Sequence, residues 1–76
     1  MNVTETEFKY MVESVAVDLT EYLMHDYNLS MPEALNLLYN SITFEKLSDA
    51  NTGLYYQSSG YVYAYLQKEI KTGKLG

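Results

Sequence analysis

Few side chains in this sequence have the type and spacing that chemistry requires. Asp18, Glu21 and His25 recur at helical spacing, which would align three potential metal ligands along one flank of a helix. The chain has one histidine and no cysteine, so a more complete ligand set is hard to assemble. We therefore expect His25 to be an exposed residue at a helix end, where its protonated form suits the helix dipole, and we predict no metal site.

Carboxylate pairs such as Glu5/Glu7 and Asp18/Glu21 are the other residues that could do chemistry, as general acid and base. Such pairs need a cleft that separates their pKa values, and a chain of 76 residues can enclose little of one. The four glycines do not have the spacing of a phosphate-binding loop, and a single histidine leaves a serine triad without support. We predict that the protein is not an enzyme and has no catalytic residue, no cofactor and no small-molecule substrate.

The charge is acidic and unevenly distributed. Ten acidic residues face five lysines, with no arginine, giving a net charge of −5. Seven of the acids lie in residues 1–38, which contain a single lysine, whereas residues 39–76 contain four lysines. Binding to nucleic acid depends on cations that neutralise phosphates, so this composition disfavours it. The acidic half would suit a basic protein partner, or would simply keep the surface solvated.

The length predicts a single domain over residues 1–76, near the lower size limit for an independent core. Without cysteine, neither a disulfide nor a thiolate zinc site can reinforce that core, which leaves association with another chain. The first residues lack the basic and apolar regions of a signal peptide, and no apolar run reaches the ~20 residues of a membrane span. We expect a cytoplasmic protein without a membrane partner.

The first half of the chain predicts two helices. Thr4 and Glu7 have the spacing of a capping box, and an apolar residue then recurs every three or four positions up to residue 27. Asn28 suits the left-handed position after this long helix. Ser30 and Glu33 form a second capping box before a run that is apolar around most of its circumference, so we expect the second helix to be largely buried. A short third helix is predicted over residues 43–47, followed by a loop over residues 49–53.

Residues 54–66 allow two interpretations. Alternating tyrosine and valine over residues 61–65, together with a turn at residues 58–60, would form a β-hairpin and an α+β fold. Alternatively, Ser58 or Ser59 caps a helix that continues to Thr72 and stops at Gly73. We favour the helix because the apolar pattern continues to Ile70, which would make an unusually long strand.

One apolar stripe lies outside the main apolar face of the first helix. Tyr10, Val17 and Met24 are spaced seven apart, about half a turn from the line of Phe8 and Val15. A stripe of this spacing suits a helix contact with another chain, unless later helices of the same chain cover it. We predict Tyr10, Val17 and Met24 to be contact residues for a partner.

Tyrosine is unusually frequent, with nine residues, five of which lie between positions 55 and 65. So small a domain cannot bury all of them, but some must pack inside, and we expect Tyr65 to be among these. Tyrosine is enriched in binding surfaces because it combines a large contact area with a polar tip. We therefore add Tyr55, Tyr56 and Tyr63 to the predicted partner-binding residues, although a tyrosine-rich rim of the core is an equal alternative.

The order of landmarks resembles a known group of domains. Glu7-Phe8-Lys9 opens the long helix, Asn28-Leu29-Ser30 leads into the second, and Phe44-Glu45-Lys46-Leu47 and Gly53 to Ser58 follow before Tyr61 to Leu66. This layout resembles small bacterial helical domains of unknown function, some encoded beside toxin-like ADP-ribosyltransferases. The resemblance implies a bacterial, cytoplasmic, helical accessory protein with an antitoxin-like role, and it supplies no catalytic residues.

The sequence thus predicts an all-α fold, a compact bundle of three to four helices around a long N-terminal helix. The predicted function is protein–protein interaction, either as a homodimer or as the acidic partner of a basic protein. The alternative is a small helix-turn-helix regulator that binds DNA, which would need a basic recognition helix that the lysines do not form.

Overall fold

A long first helix organises the fold. The computed structural model describes residues 3–73, in which α1 spans Glu5–Asp26. The predicted capping box is present: Thr4 Oγ1 accepts the Glu7 N–H at 3.1 Å, and Glu7 Oε1 accepts the Thr4 N–H at 2.9 Å. Asn28 has the predicted left-handed backbone, with φ of 54°, and the Leu29 N–H returns to the Met24 carbonyl at 3.2 Å. Both ends of α1 are therefore fixed by local sequence.

Helix α2 spans Met31–Tyr39 and begins at the second predicted capping box, between Ser30 and Glu33. The expectation that α2 is largely buried was wrong. Only Ala34 and Leu38 are buried, whereas Met31 and Tyr39 are each 55% exposed. The helix packs against the core by the side that carries Ala34 and Leu38.

The C-terminal region is helical, which decides between the two interpretations of residues 54–66. Helix α3 spans Ile42–Leu47, two 3₁₀ turns follow at Ala50–Thr52 and Leu54–Tyr56, and α4 spans Ser59–Thr72. Ser58 caps α4 by accepting the Tyr61 N–H, and Gly73 ends it with φ of 72°. No strand occurs between residues 3 and 73, so the predicted all-α fold is confirmed and the hairpin is wrong for that region.

The core lies where the helices meet. Its fully buried side chains come from all four helices, and the largest are Leu19, Leu23, Leu38, Leu47, Val62 and Leu66. The described residues form a body of 37 × 22 × 18 Å. No helix between residues 3 and 73 is both long enough and apolar enough to cross a bilayer.

Helices α3 and α4 are joined by a buried carboxylate that the sequence did not predict. Glu69 of α4 accepts the backbone N–H groups of Ile42 and Thr43 at 2.7 and 2.9 Å, and the Thr43 hydroxyl at 2.7 Å. Ser41 accepts the next N–H, that of Phe44, at 3.0 Å. The first turn of α3 therefore has its free donors satisfied partly by a side chain more than twenty residues away.

Candidate protein-docking groove

Two of the three residues of the predicted stripe on α1, Val17 and Met24, lie beside α2. Tyr10 and Val17 are 72% and 57% exposed, and Met24 is partly buried against the core. Val17 and Met24 share a groove with residues of α2, whereas Tyr10 is not among the residues that line this groove. The stripe is thus flanked but not covered within the described part of the chain.

This α1–α2 groove has a volume of about 370 Å³. Each helix contributes an apolar half: Val17 and Met24 come from α1, and Met31, Leu35 and Tyr39 come from α2. The full lining consists of Glu13, Ala16, Val17, Thr20, Glu21, Met24, Met31, Leu35 and Tyr39. An open groove with an apolar floor has the shape that receives a helix from a partner.

Sequence reasoning missed the α2 half of this groove. Met31, Leu35 and Tyr39 are four residues apart, which places them along one side of α2. The spacing was visible in the sequence, but residues 34–39 are apolar in almost every direction. A helix that is apolar around its whole circumference is expected to be buried on every side. The sequence pattern therefore does not distinguish the side of α2 that faces α1 from the side that faces solvent.

The charges along the α1–α2 groove are acidic. Glu13 and Glu21 are exposed and border it, and no lysine or histidine is among its lining residues. Lys9 lies in the adjoining depression, together with Glu13, Tyr39 and Phe44. An exposed apolar floor bordered by carboxylates favours a partner that presents apolar and basic side chains together.

The comparisons with known proteins add no candidate. No family model, curated protein or solved structure matches this chain. The resemblance to bacterial accessory domains therefore stays a prediction, and the function rests on the geometry of the groove.

Two of the predicted partner-binding tyrosines lie inside the domain instead of on its surface. Tyr55 is 5% exposed, and its ring meets that of Phe8 edge-on at 4.8 Å. Tyr63 is 8% exposed, and its hydroxyl donates to Asp26 Oδ2 at 2.8 Å. Neither side chain offers the exposed contact area on which that prediction depended.

The prediction that Tyr65 packs inside the domain was wrong, because its side chain is 48% exposed. The buried side of α4 is formed by Val62, Tyr63, Leu66 and Glu69, which leaves Tyr65 facing outward. Tyr56 remains exposed, as its predicted role requires, and its ring contacts that of Tyr55 edge-on at 5.2 Å.

Tyr63 and Asp26, which form a hydrogen bond where α1 meets α4, both have shifted pKa values. Burial, followed by the hydrogen bond to Asp26, raises the pKa of the Tyr63 hydroxyl well above its usual range. The contact with His25, followed by the Tyr63 hydroxyl, lowers the pKa of Asp26. The acceptor therefore stays ionised and the donor stays protonated at neutral pH, so this hydrogen bond keeps its polarity.

The flank that carries Asp18, Glu21 and His25 forms no common site. Asp18 Oδ2 accepts the Ser59 hydroxyl of α4 at 2.6 Å, and His25 Nδ1 lies 3.1 Å from Asp26 Oδ1. No group of three or more His, Asp or Glu side chains able to hold a metal ion exists among residues 3–73. Asp18 helps to hold α4 on α1, which is a structural role.

A second groove lies between α3 and α4. It measures about 570 Å³, and its lining includes Ile42, Lys46, Tyr65, Lys68 and Glu69. The Glu69 carboxylate is fully engaged by the first turn of α3. This α3–α4 groove is larger than the α1–α2 groove, but its lysines give it the opposite charge character.

Proposed function

We propose that the protein is a non-enzymatic interaction module whose α1–α2 groove receives a lysine-rich amphipathic helix of a protein partner. One observation carries this proposal: exposed apolar side chains from two helices form a continuous floor between two carboxylates. Contiguous exposed apolar surface that is bordered by polar residues is a common feature of protein–protein interaction sites. A cytoplasmic, antitoxin-like accessory role belongs to the same proposal.

Charge distinguishes this partner from the other candidates. Glu13 and Glu21 would repel the phosphates of DNA, which disfavours a helix-turn-helix regulator. They would also repel each other across a two-fold dimer that pairs the groove with itself. A basic amphipathic helix avoids both kinds of repulsion. Its lysines lie near the two carboxylates while its apolar side rests on Val17, Met31 and Leu35.

The test uses a synthetic peptide with leucine on one face and lysine on the other, followed by fluorescence anisotropy. Each carboxylate–lysine contact at an exposed rim contributes ~0.2–1 kcal/mol. The Glu13→Gln/Glu21→Gln variant, which removes two such contacts, is therefore expected to weaken binding about two- to thirtyfold. Its control, Glu5→Gln/Glu45→Gln, removes two exposed carboxylates outside the groove lining and should bind like the parent protein.

The apolar floor has its own matched pair of variants. Met31 and Ile42 are the first residues of α2 and α3, and both are exposed. Met31→Ser should weaken peptide binding, whereas Ile42→Ser, which lies outside the α1–α2 groove, should not. Equal losses for the two variants, or equal binding of a peptide with glutamate in place of lysine, would contradict the proposal.

A further inference from the structure

The outward face of α4 carries the chemistry that the α1–α2 groove requires. Its exposed side chains include Tyr61, Ala64, Tyr65, Lys68 and Lys71. The one acid of α4, Glu69, is buried and bonded to the first turn of α3. This exposed set, which we term the α4 ridge, is therefore apolar and aromatic at one end and basic at the other, without a competing carboxylate.

The α4 ridge also has the spacing of a docking helix. Tyr61, Tyr65 and Lys68 lie at positions i, i+4 and i+7, the pattern by which a helix anchors in a groove. The rings of Tyr61 and Tyr65 meet edge-on at 5.5 Å, and their hydroxyls are 3.4 Å apart. The ridge is already ordered within the folded domain, so docking requires no folding of a free segment.

The dimensions of ridge and groove agree. At a rise of about 1.5 Å per residue, Tyr61 to Lys68 spans ~10 Å along α4. Met31 to Tyr39, the α2 side of the groove, spans ~12 Å by the same rise. The acidic residues Glu13 and Glu21 stand eight positions apart on α1, which gives the rim the same length.

The two surfaces cannot meet within one molecule. Helix α4 is held on α1 by the Ser59–Asp18 and Tyr63–Asp26 hydrogen bonds and by the ring contact between Tyr22 and Tyr63 at 4.9 Å. At 100° per residue, this flank lies about half a turn from Val17, Thr20 and Met24, which line the groove. The α4 ridge of one copy therefore faces away from that copy's own groove.

We propose that a second copy of the chain supplies the helix: the α4 ridge of one protomer docks in the α1–α2 groove of the next. This inference rests on the proposed function, because it names the source of the basic helix. Lys68 and Lys71, at the basic end of the ridge, then lie near one end of the acidic rim of the neighbouring protomer, which carries Glu13 at one end and Glu21 at the other. Within residues 3–73, the only ion pair within 4 Å is His25–Asp26, so both lysines are available for this contact.

Head-to-tail docking has a distinct consequence for assembly. Groove and ridge are different surfaces, so a bound pair still exposes one unused groove and one unused ridge. Assembly therefore does not stop at a two-fold dimer but continues to longer oligomers as concentration rises. Raising the salt concentration should shorten them, because the charges at the rim are screened.

The experiment is sedimentation velocity on the full chain and on two charge-reversal variants. Glu13→Lys/Glu21→Lys disables the groove and keeps the ridge, whereas Lys68→Glu/Lys71→Glu disables the ridge and keeps the groove. The parent protein should show a mass that increases with concentration beyond that of a dimer. Each variant alone should associate at least tenfold more weakly. An equimolar mixture should regain association, because the intact ridge of one variant meets the intact groove of the other and the two reversed surfaces are again opposite in charge.

Two controls make the result decisive. Glu5→Lys/Glu45→Lys changes the net charge as much as the groove variant does, at exposed sites outside groove and ridge, and should associate like the parent. Circular dichroism establishes that every variant is folded. A parent that stays monomeric at high micromolar concentration, or a mixture that stays monomeric, would overturn the inference.

These experiments distinguish a failure of the self-docking inference from a failure of the proposed function. A monomeric parent that binds the leucine–lysine peptide with the expected dependence on Glu13 and Glu21 rejects the second copy and keeps the basic-helix partner. A parent that fails to bind the peptide and also fails to associate rejects both. Association that persists in both charge-reversal variants assigns self-contact to another surface and rejects the inference.

Discussion

Glu69 shows how one residue connects elements that are distant in the chain. Its carboxylate is buried and accepts three hydrogen bonds, two of them from the backbone at the start of α3. A buried carboxylate is tolerated there because the donors and the positive end of the short helix replace its lost hydration. The stability of the α3–α4 contact therefore depends on this side chain.

Glu69→Ala is expected to lower the free energy of unfolding by about 2–3 kcal/mol, since it leaves the Thr43 N–H and hydroxyl without their acceptor. A domain of this length has a total of only ~4–11 kcal/mol, so the loss is a large fraction. Urea denaturation followed by circular dichroism measures it. Glu21→Ala, on the exposed side of α1, should change stability by less than ~0.5 kcal/mol. Similar losses for the two variants would contradict the role given to Glu69.

At the scale of elements, the two capping boxes make helix stability depend on pH. Accepting the Thr4 backbone N–H lowers the pKa of the Glu7 carboxyl, and accepting the Ser30 N–H does the same for Glu33. Because the folded values lie below the unfolded value of ~4.3, the stabilisation is fully present above that pH. It is lost as the pH falls through the lowered folded values.

The melting temperature should accordingly fall as the pH is lowered from about 5 to below 4. In Glu7→Gln/Glu33→Gln the amide oxygens still accept the two backbone N–H groups but do not titrate, so the dependence on pH should be shallower. Differential scanning calorimetry across this range provides the comparison. Glu5→Gln/Glu45→Gln removes the same number of carboxyls outside the capping boxes. An equally flattened profile in that variant would show that the boxes are not the cause.

Local signals explain why the elements could be predicted from sequence. The sequence predicts that Thr4, Ser30 and either Ser58 or Ser59 cap helices, and Thr4, Ser30 and Ser58 do so. Asn28 and Gly73 have the predicted left-handed backbone at helix ends, because these effects depend only on residues within one turn. The start of α3 is different. Its Glu69 acceptor is 27 residues from Ile42, a distance over which a sequence pattern carries no information about contact.

The candidate site was predictable only in part, for the same reason. The heptad spacing of Tyr10, Val17 and Met24 identified two exposed side chains, Tyr10 and Val17, and one side chain, Met24, that lines the groove but is partly buried. Which tyrosines face outward depends on the side by which α4 packs against α1. That packing buries Tyr63 beside Tyr22 and exposes Tyr65, and no periodicity within α4 alone distinguishes the two.

At the scale of the whole molecule, charge and shape divide the surface into complementary parts. The α1–α2 groove is apolar with an acidic rim, and the α4 ridge is aromatic and basic. The net charge of −5 opposes indiscriminate association, so contact is favoured only where the two surfaces meet in register. A basic helix from another protein would use the same groove and would compete with the ridge.

The groove itself is tested most directly by titrating the ¹⁵N-labelled chain with the leucine–lysine peptide and following the backbone amide resonances. Docking predicts that the largest shifts cluster at Val17, Thr20 and Met24 of α1 and at Leu35 and Tyr39 of α2. Amides outside both the α1–α2 groove and the α4 ridge, such as Ala50 and Asn51, should change little. Shifts that are spread evenly over the surface, or that leave Val17, Met24 and Leu35 unchanged, would contradict the assignment of the α1–α2 groove as the docking surface.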